Sequence, residues 1–239
     1  MNKKIKTSTK QTIMTCVCQE CQKEKRDLGF TSINFGDGKP PKMFCQTCFN
    51  KYAAEQMGVP APDPAEFPPV KLFDSIGKEH TFYFEVRLST GLGMIASEID
   101  DNNNPYGYEF SILKHPNTPS SEVYSQLIEK IKKGLSVRYL HSSDFGECSS
   151  QNRLYIKDNV IIGRIEQKED APMIVIDGKE YTWEDLGQFV SSHEGFNFRL
   201  ECIDPYEDID FSSKVERPDK LWWLKKPKIK DKETEKEIH

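Results

Sequence analysis

"FCQTCFNKYAAEQMG", residues 44–58, sets Cys45 and Cys48 at the mouth of a run of helix formers that stops at Gly58, a residue suited to the left-handed turn that ends a helix. Upstream, "CVCQECQKEKR", residues 16–26, supplies Cys18 and Cys21, so the two pairs read C-x2-C-x23-C-x2-C. A two-residue gap lets one tight turn aim both sulfurs at a common point, and two such turns complete the tetrahedral sulfur set that zinc accepts. One zinc ion held by Cys18, Cys21, Cys45 and Cys48 is therefore expected. Four thiolates close the coordination shell and leave no place for an activated water, so the ion is expected to be structural. Cys16 is an alternative to Cys18, at the cost of the tight turn, because the pair would become C-x4-C.

Between the pairs, "GFTSINF" and "KMF" flank a stretch holding Gly36, Asp37, Gly38, Pro40 and Pro41, which predicts a short hairpin. The helix after it begins at the second pair, where its dipole favours thiolates. Knuckle, hairpin and helix over residues 16–58 resemble the treble-clef class of zinc fingers. An HNH-type nuclease on that scaffold needs histidines near the hairpin and on the helix, and residues 22–58 contain none.

The chain then changes character. "VPAPDPAEFPPV", residues 59–70, has five prolines, which disfavour helix and sheet and predict an extended linker over 59–71. Beyond it "HTFYFEVRLS" alternates, with Phe82, Phe84, Val86 and Leu88 on one face, and "GMIASEI" and "GYEFSILK" read as further strands of an antiparallel meander. Thr118 as N-cap, Pro119 at the first helical position and Gly134 as stop frame a helix that presents Val123, Leu127 and Ile131. "RLYIKDNVIIGRIE" reads as two strands about Asp158-Asn159, and "MIVIDGKEYTW" as a hairpin about Asp177-Gly178. Thr182 and Asp185 form a capping box for a helix with Leu186, Phe189 and Val190 on one face. "FNFRLECI" is expected to be a strand burying Phe196, Phe198, Leu200 and Cys202.

The expected fold class is α+β: a treble-clef-like zinc module followed by a mostly antiparallel sheet domain with two packed helices. Its organisation reads as a flexible basic N-terminus (1–15), the four-cysteine module (16–58), the proline-rich linker (59–71), an α+β domain (72–211) with a sub-boundary near 141–153, and a basic, Trp-containing tail (212–239). The segments "HTFYFEVRL", "GYEFSILKHPNTPSSEVYSQLIEKIKKGLSVRYL" and "IDGKEYTWEDLGQFVSSHEGFNFRLECIDP" are similar to bacterial domains of unknown function that occur beside cysteine-pair zinc modules. That resemblance implies an architecture and no activity.

Charge narrows the function classes. Residues 1–58 carry 10 basic and 5 acidic side chains, residues 59–213 carry 14 and 27, and residues 214–239 carry 9 and 6. An acidic middle repels phosphate backbones, so nucleic-acid binding would fall to the ends, through Lys3, Lys4, Lys6, Lys23, Lys25 and Arg26 and the tail. No run approaches the roughly 20 apolar residues of a membrane span, and the start lacks an apolar stretch after its lysines. A cytoplasmic protein with no membrane span is expected, and seven cysteines, four of them in pairs, fit metal binding in a reducing compartment.

Catalytic residue types gather in "LHSSDFGECSSQNR", residues 140–153, where His141, Asp144 and Cys148 are the candidates for a hydrolase or nuclease. Side chains within one loop do not make a triad, and nucleotide-binding and hydrolase motifs are absent from the sequence. His80, His115 and His193 read as surface or capping residues. In the tail, Trp222 and Trp223 stand among lysines; they read either as a contact for a protein partner or as a cover folded back on the domain. The leading expectation is a non-catalytic binding or adaptor protein with a structural zinc finger and an acidic protein-recognition domain. Nucleic-acid binding through the basic ends and hydrolysis by the 140–153 loop are the alternatives.

Overall fold

A computed structural model of the chain describes residues 15–26, 30–36, 38, 40–63, 67–142, 154–168, 171–207 and 209. Four blocks follow one another along it, and in them helices join sheets whose strand pairs are all antiparallel.

The cysteine module opens with a small hairpin of β1 (Thr15–Val17) and β2 (Glu24–Arg26), whose turn holds Cys18 and Cys21. A second hairpin pairs β3 (Phe30–Ile33) with β4 (Lys42–Cys45), as the turn formers between the cysteine pairs predict. Helix α1 (Gln46–Met57) follows at once and ends at Gly58, which takes the left-handed conformation at φ 65°. Phe44 stacks on Tyr52 at 5.9 Å, and Phe35 meets the same ring edge-on at 5.7 Å, which packs the hairpin onto the helix.

The proline-rich stretch is shorter than expected. Val70 already begins β5 (Val70–Phe73), and Phe67 stacks on Tyr124 of the following helix at 4.6 Å. β5 joins β6 (Glu79–Leu88), β7 (Leu92–Ile99) and β8 (Pro105–Lys114) in a four-stranded meander. The alternation in β6 buries Phe82, Phe84 and Leu88, and the two phenylalanines join Met94, Ala96, Phe110 and Ile112 in the core. Helix α2 (Ser120–Ser136) covers that face with Val123, Leu127 and Ile131, all fully buried. Two details differ from the expectation. Pro119 itself caps α2 with its carbonyl, one residue later than Thr118. Gly134 does not stop the helix: it lies against the ring of Phe110, and a β-carbon there would come within 2.3 Å of that ring. The glycine serves close helix-to-sheet approach.

A second core lies C-terminal to α2. β9 (Leu140–Ser142) pairs with β10 (Leu154–Ile156), and β11 (Arg164–Lys168), β12 (Ala171–Ile176) and β13 (Lys179–Tyr181) form a three-stranded sheet. Asp158 and Asn159 do make a turn of positive φ. The strands on either side of it find other partners, β9 for one and β12 for the other, so the expected hairpin there is absent. The Asp177-Gly178 hairpin forms, with both residues at positive φ. Helix α3 (Trp183–Val190) starts with the reciprocal Thr182–Asp185 capping box. Of its expected apolar face Phe189 is buried, Leu186 packs at the margin and Val190 is exposed.

The largest departure is at residues 196–203. No strand forms there. Phe196, Phe198 and Leu200 are 64%, 91% and 70% exposed, and Cys202, expected in the core, is exposed as well. The chain touches the sheet again only after this segment, where the Ser111 hydroxyl donates to Pro205 O at 2.6 Å and Lys130 Nζ donates to Glu207 O at 2.9 Å; alternation within 196–203 marks a shared face but supplies no neighbouring strand.

Candidate metal centre

Cys18 and Cys21 sit on the turn between β1 and β2, which is closed by Cys18 N–H donating to Lys23 O at 3.0 Å and Gln22 N–H to Cys18 O at 2.8 Å. Gln22 takes φ 59° to make it possible. Gln19 ties this turn to the second hairpin, its N–H donating to Met43 O at 2.9 Å while its side-chain oxygen accepts from Met43 N–H at 3.1 Å. Cys45 is the N-cap of α1, and Cys48 lies in the first helical turn. The β3–β4 pairing and the Gln19 bridge thus carry two cysteine pairs, far apart in sequence, to one point.

The sulfurs of Cys18, Cys21, Cys45 and Cys48 all lie within 4.8 Å of one another. Cys21 and Cys45 are 3.8 Å apart, far beyond disulfide length. Four sulfurs set tetrahedrally around an ion at about 2.3 Å stand about 3.8 Å apart, so the cluster is of the size to hold a metal. Cys16, the alternative ligand, lies in β1 opposite Lys25 and outside the cluster.

Electrostatics point the same way. Burial pushes the Cys18 thiol up, but backbone N–H groups of Cys21, Cys45 and Glu20 outweigh it and bring the thiol down to about 6. One of those donors, Cys45 N–H, is 3.2 Å from the Cys18 sulfur. Cys48 goes the other way: burial, then hydrogen bonding with the Cys21, Cys45 and Cys18 sulfurs, holds its proton on. Four crowded thiols cannot all ionise unless a cation sits among them, and a cation releases the proton that Cys48 retains.

The module is not a loosely tethered bead. Asn50 of α1 is buried; its side-chain amide donates to Val86 O at 2.8 Å, and its oxygen accepts from Leu88 N–H at 2.9 Å. Gln46 donates to the same oxygen at 2.9 Å. β5 pairs with β6 only as far as Phe82, so Val86 and Leu88 lie on a stretch that β5 does not reach. The asparagine amide acts there as a one-residue substitute for the missing strand.

Sequence reasoning missed a second polar cluster. His80, expected at the surface, is 2% exposed. Its Nδ1 lies 2.6 Å from Glu98 Oε1 and its Nε2 3.3 Å from Asp74 Oδ2. Glu98, also buried, accepts from Tyr108 N–H at 3.0 Å, and Asp74 accepts from Ile76 and Lys78 N–H. Burial pushes Glu98 up, but His80, the Tyr108 N–H and Tyr106 outweigh it and hold the carboxyl below its ordinary value. Every member has a partner, so the cluster reads as a locked end to the core and not as a reactive centre. His193 Nε2 donates to Asn159 Oδ1 at 2.9 Å, and His115 caps its own turn.

Among the hydrolase candidates, His141 lies in β9 with Nε2 3.3 Å from Arg138 O and its ring 6.1 Å from that of Tyr155. Asp144 and Cys148 lie outside the described residues, as do Trp222 and Trp223 and the N-terminal lysines. Among the described residues no helix is long and apolar enough to cross a membrane.

Residues 17–60, 63–136 and 143–207 match the models of three families, each described as a domain of unknown function: DUF7685, DUF7686 and DUF7713 in that order. The first match covers the cysteine module, the second the four-stranded sheet with α2, and the third most of the second core. No curated protein and no solved structure matches the chain.

Proposed function

We propose that this chain is a non-catalytic protein-binding adaptor, built on one structural zinc ion. The observation that carries this reading is the exposed segment 196–203, which belongs to no helix or strand. Phe196, Phe198 and Leu200 alternate with Asn197, Arg199 and Glu201, and the apolar members stand in solvent with no strand ladder among the described residues. Such a segment fits a partner protein that offers a sheet edge: main-chain hydrogen bonds give affinity and the apolar side chains give register. An apolar row in water is otherwise a liability.

Zinc is favoured for the four-cysteine site by the all-sulfur, closed donor set and by its size. Turn, hairpin and helix in this order support the treble-clef assignment. The acidic middle of the chain and a cytoplasmic location belong to the same reading. Binding of nucleic acid through the basic ends is the rival.

The test is capture of the tagged chain from its own cells, with and without nuclease, beside the Phe198→Asp variant. A stoichiometric protein that survives nuclease and is lost with Phe198→Asp supports the adaptor. Material lost with nuclease and retained by Phe198→Asp transfers the function to the basic ends.

A further inference from the structure

The chain leaves α2 through Val137 and enters β9 at Leu140, and the two cores meet along this short passage. A cleft of about 370 Å³ opens there, walled by Ile76, Val137, Arg138, Tyr139, His141 and Lys157. That volume lies in the range of small-molecule sites, and a seam between two cores is a common place for one. A smaller recess of about 50 Å³ continues from it toward His80.

Arg138 is the unusual member. Its Nε is shut off from solvent without a hydrogen-bond partner, and no hydrogen bond or ion pair of its guanidinium is formed with the described residues. The carboxylates nearby give their hydrogen bonds to other donors, although Asp177 feels the Arg138 charge. Asp177 accepts from the N–H groups of Tyr139 and Leu140 at 2.8–3.1 Å. Asp74 is held by its own turn and His80. Asp158 is the one carboxylate lining the larger cleft, against Arg138, Lys157 and His141. Arg138 is half-buried: its Nε is shut in without an acceptor, which is costly in a fold that gains nothing from it, while the residue lines the open cleft. An arginine is also the side chain whose fork suits a carboxylate or phosphate.

We propose that this cleft binds a small organic anion, with its carboxylate or phosphate on Arg138 and Lys157 and its apolar body against Ile76 and Val137. The site is independent of the metal centre and of the 196–203 segment. It would make the chain a ligand-responsive protein, with the ligand seated between its two cores.

The experiment titrates the full-length, zinc-loaded chain with phenyl phosphate, benzoate and benzyl alcohol, following backbone amide resonances. Saturable shifts confined to residues 75–76, 137–141 and 157 are expected with at least one anion and not with the alcohol, and the comparison of the two anions separates phosphate from carboxylate. Arg138→Met should weaken that binding about tenfold or more, as loss of a charge-assisted hydrogen-bonded pair implies. It should leave the melting temperature of the free protein little changed, since the half-buried guanidinium makes no hydrogen bond with the described residues that methionine would lose. Lys157→Gln, at the exposed rim, should weaken binding less and fold normally, which keeps the test sound if Arg138→Met does not fold. Lys133→Gln, on the surface of α2, should change nothing. Absence of saturable shifts with both anions overturns the proposal. So does binding that survives Arg138→Met or, should that variant not fold, Lys157→Gln.

Discussion

Glu98 carries a charge where the sheet would otherwise place one more apolar side chain on its core face. It is tolerated because His80, Tyr108 N–H and Tyr106 supply donors, and removing that balance should be costly. Glu98→Gln is expected to destabilise the protein by about 3 kcal/mol in urea unfolding, the scale of a broken buried pair. The pH dependence follows from the direction of the shift. A carboxyl held below its unfolded value of 4.5 contributes stability that is complete above that value and is lost as pH falls through the folded one. The acid limb of the stability curve below pH 4.5 should therefore flatten in Glu98→Gln; an unchanged limb would place the acid sensitivity elsewhere. Gly134→Ala tests a different kind of contact. Helix propensity favours alanine by about 1 kcal/mol, but the new methyl meets the Phe110 ring at 2.3 Å, and overpacking costs about 1–3 kcal/mol. A lowered melting temperature, restored by adding Phe110→Leu, is expected. Neither residue was legible in the sequence. A glycine near a helix end looks like a stop signal, and a histidine at a strand start looks exposed until the register sets His80 beside Glu98, 18 residues away.

At the level of elements, local chemistry told more. The C-x2-C turns, the helix stopping at Gly58, the Thr182–Asp185 capping box and the Asp177-Gly178 hairpin all rest on contacts within a few residues, and each forms as read. Alternation in Phe82–Leu88 also identified the buried face, because α2 is there to cover it. The same period in Phe196–Leu200 failed, since alternation says which side chains share a face and nothing about whether a neighbour exists. The β6 edge shows how such a neighbour can be as small as one amide. Asn50→Leu leaves Val86 O and Leu88 N–H without their partner and should cost about 2 kcal/mol. Hydrogen exchange reads it directly: the Leu88 amide should lose protection while the Ile95 amide, opposite Glu85 in the β6–β7 ladder, keeps its own.

For the whole molecule, the proposed zinc and the sheet would share one stability, because α1 carries both Cys48 and Asn50. Cys45→Ser removes a candidate ligand while keeping a good N-cap residue at the start of α1, so the variant should bind no stoichiometric zinc by elemental analysis. Since α1 carries Asn50, the loss should reach β6: chelation of the wild-type protein should expose residues 83–88 to proteolysis, beyond the module itself. A variant that keeps one equivalent of zinc with normal protease resistance would refute the four-cysteine site. This dependence has a consequence for how the chain is made. Asn50 precedes Leu88 by 38 residues, about 2–8 s of translation, so each nascent chain has a brief interval in which the module can acquire its ion before the strand it must seal has been synthesised. With zinc as the proposed ion, a metal-poor cell would leave that interval unused, and β6 would then be made with no ordered Asn50 to seal its edge.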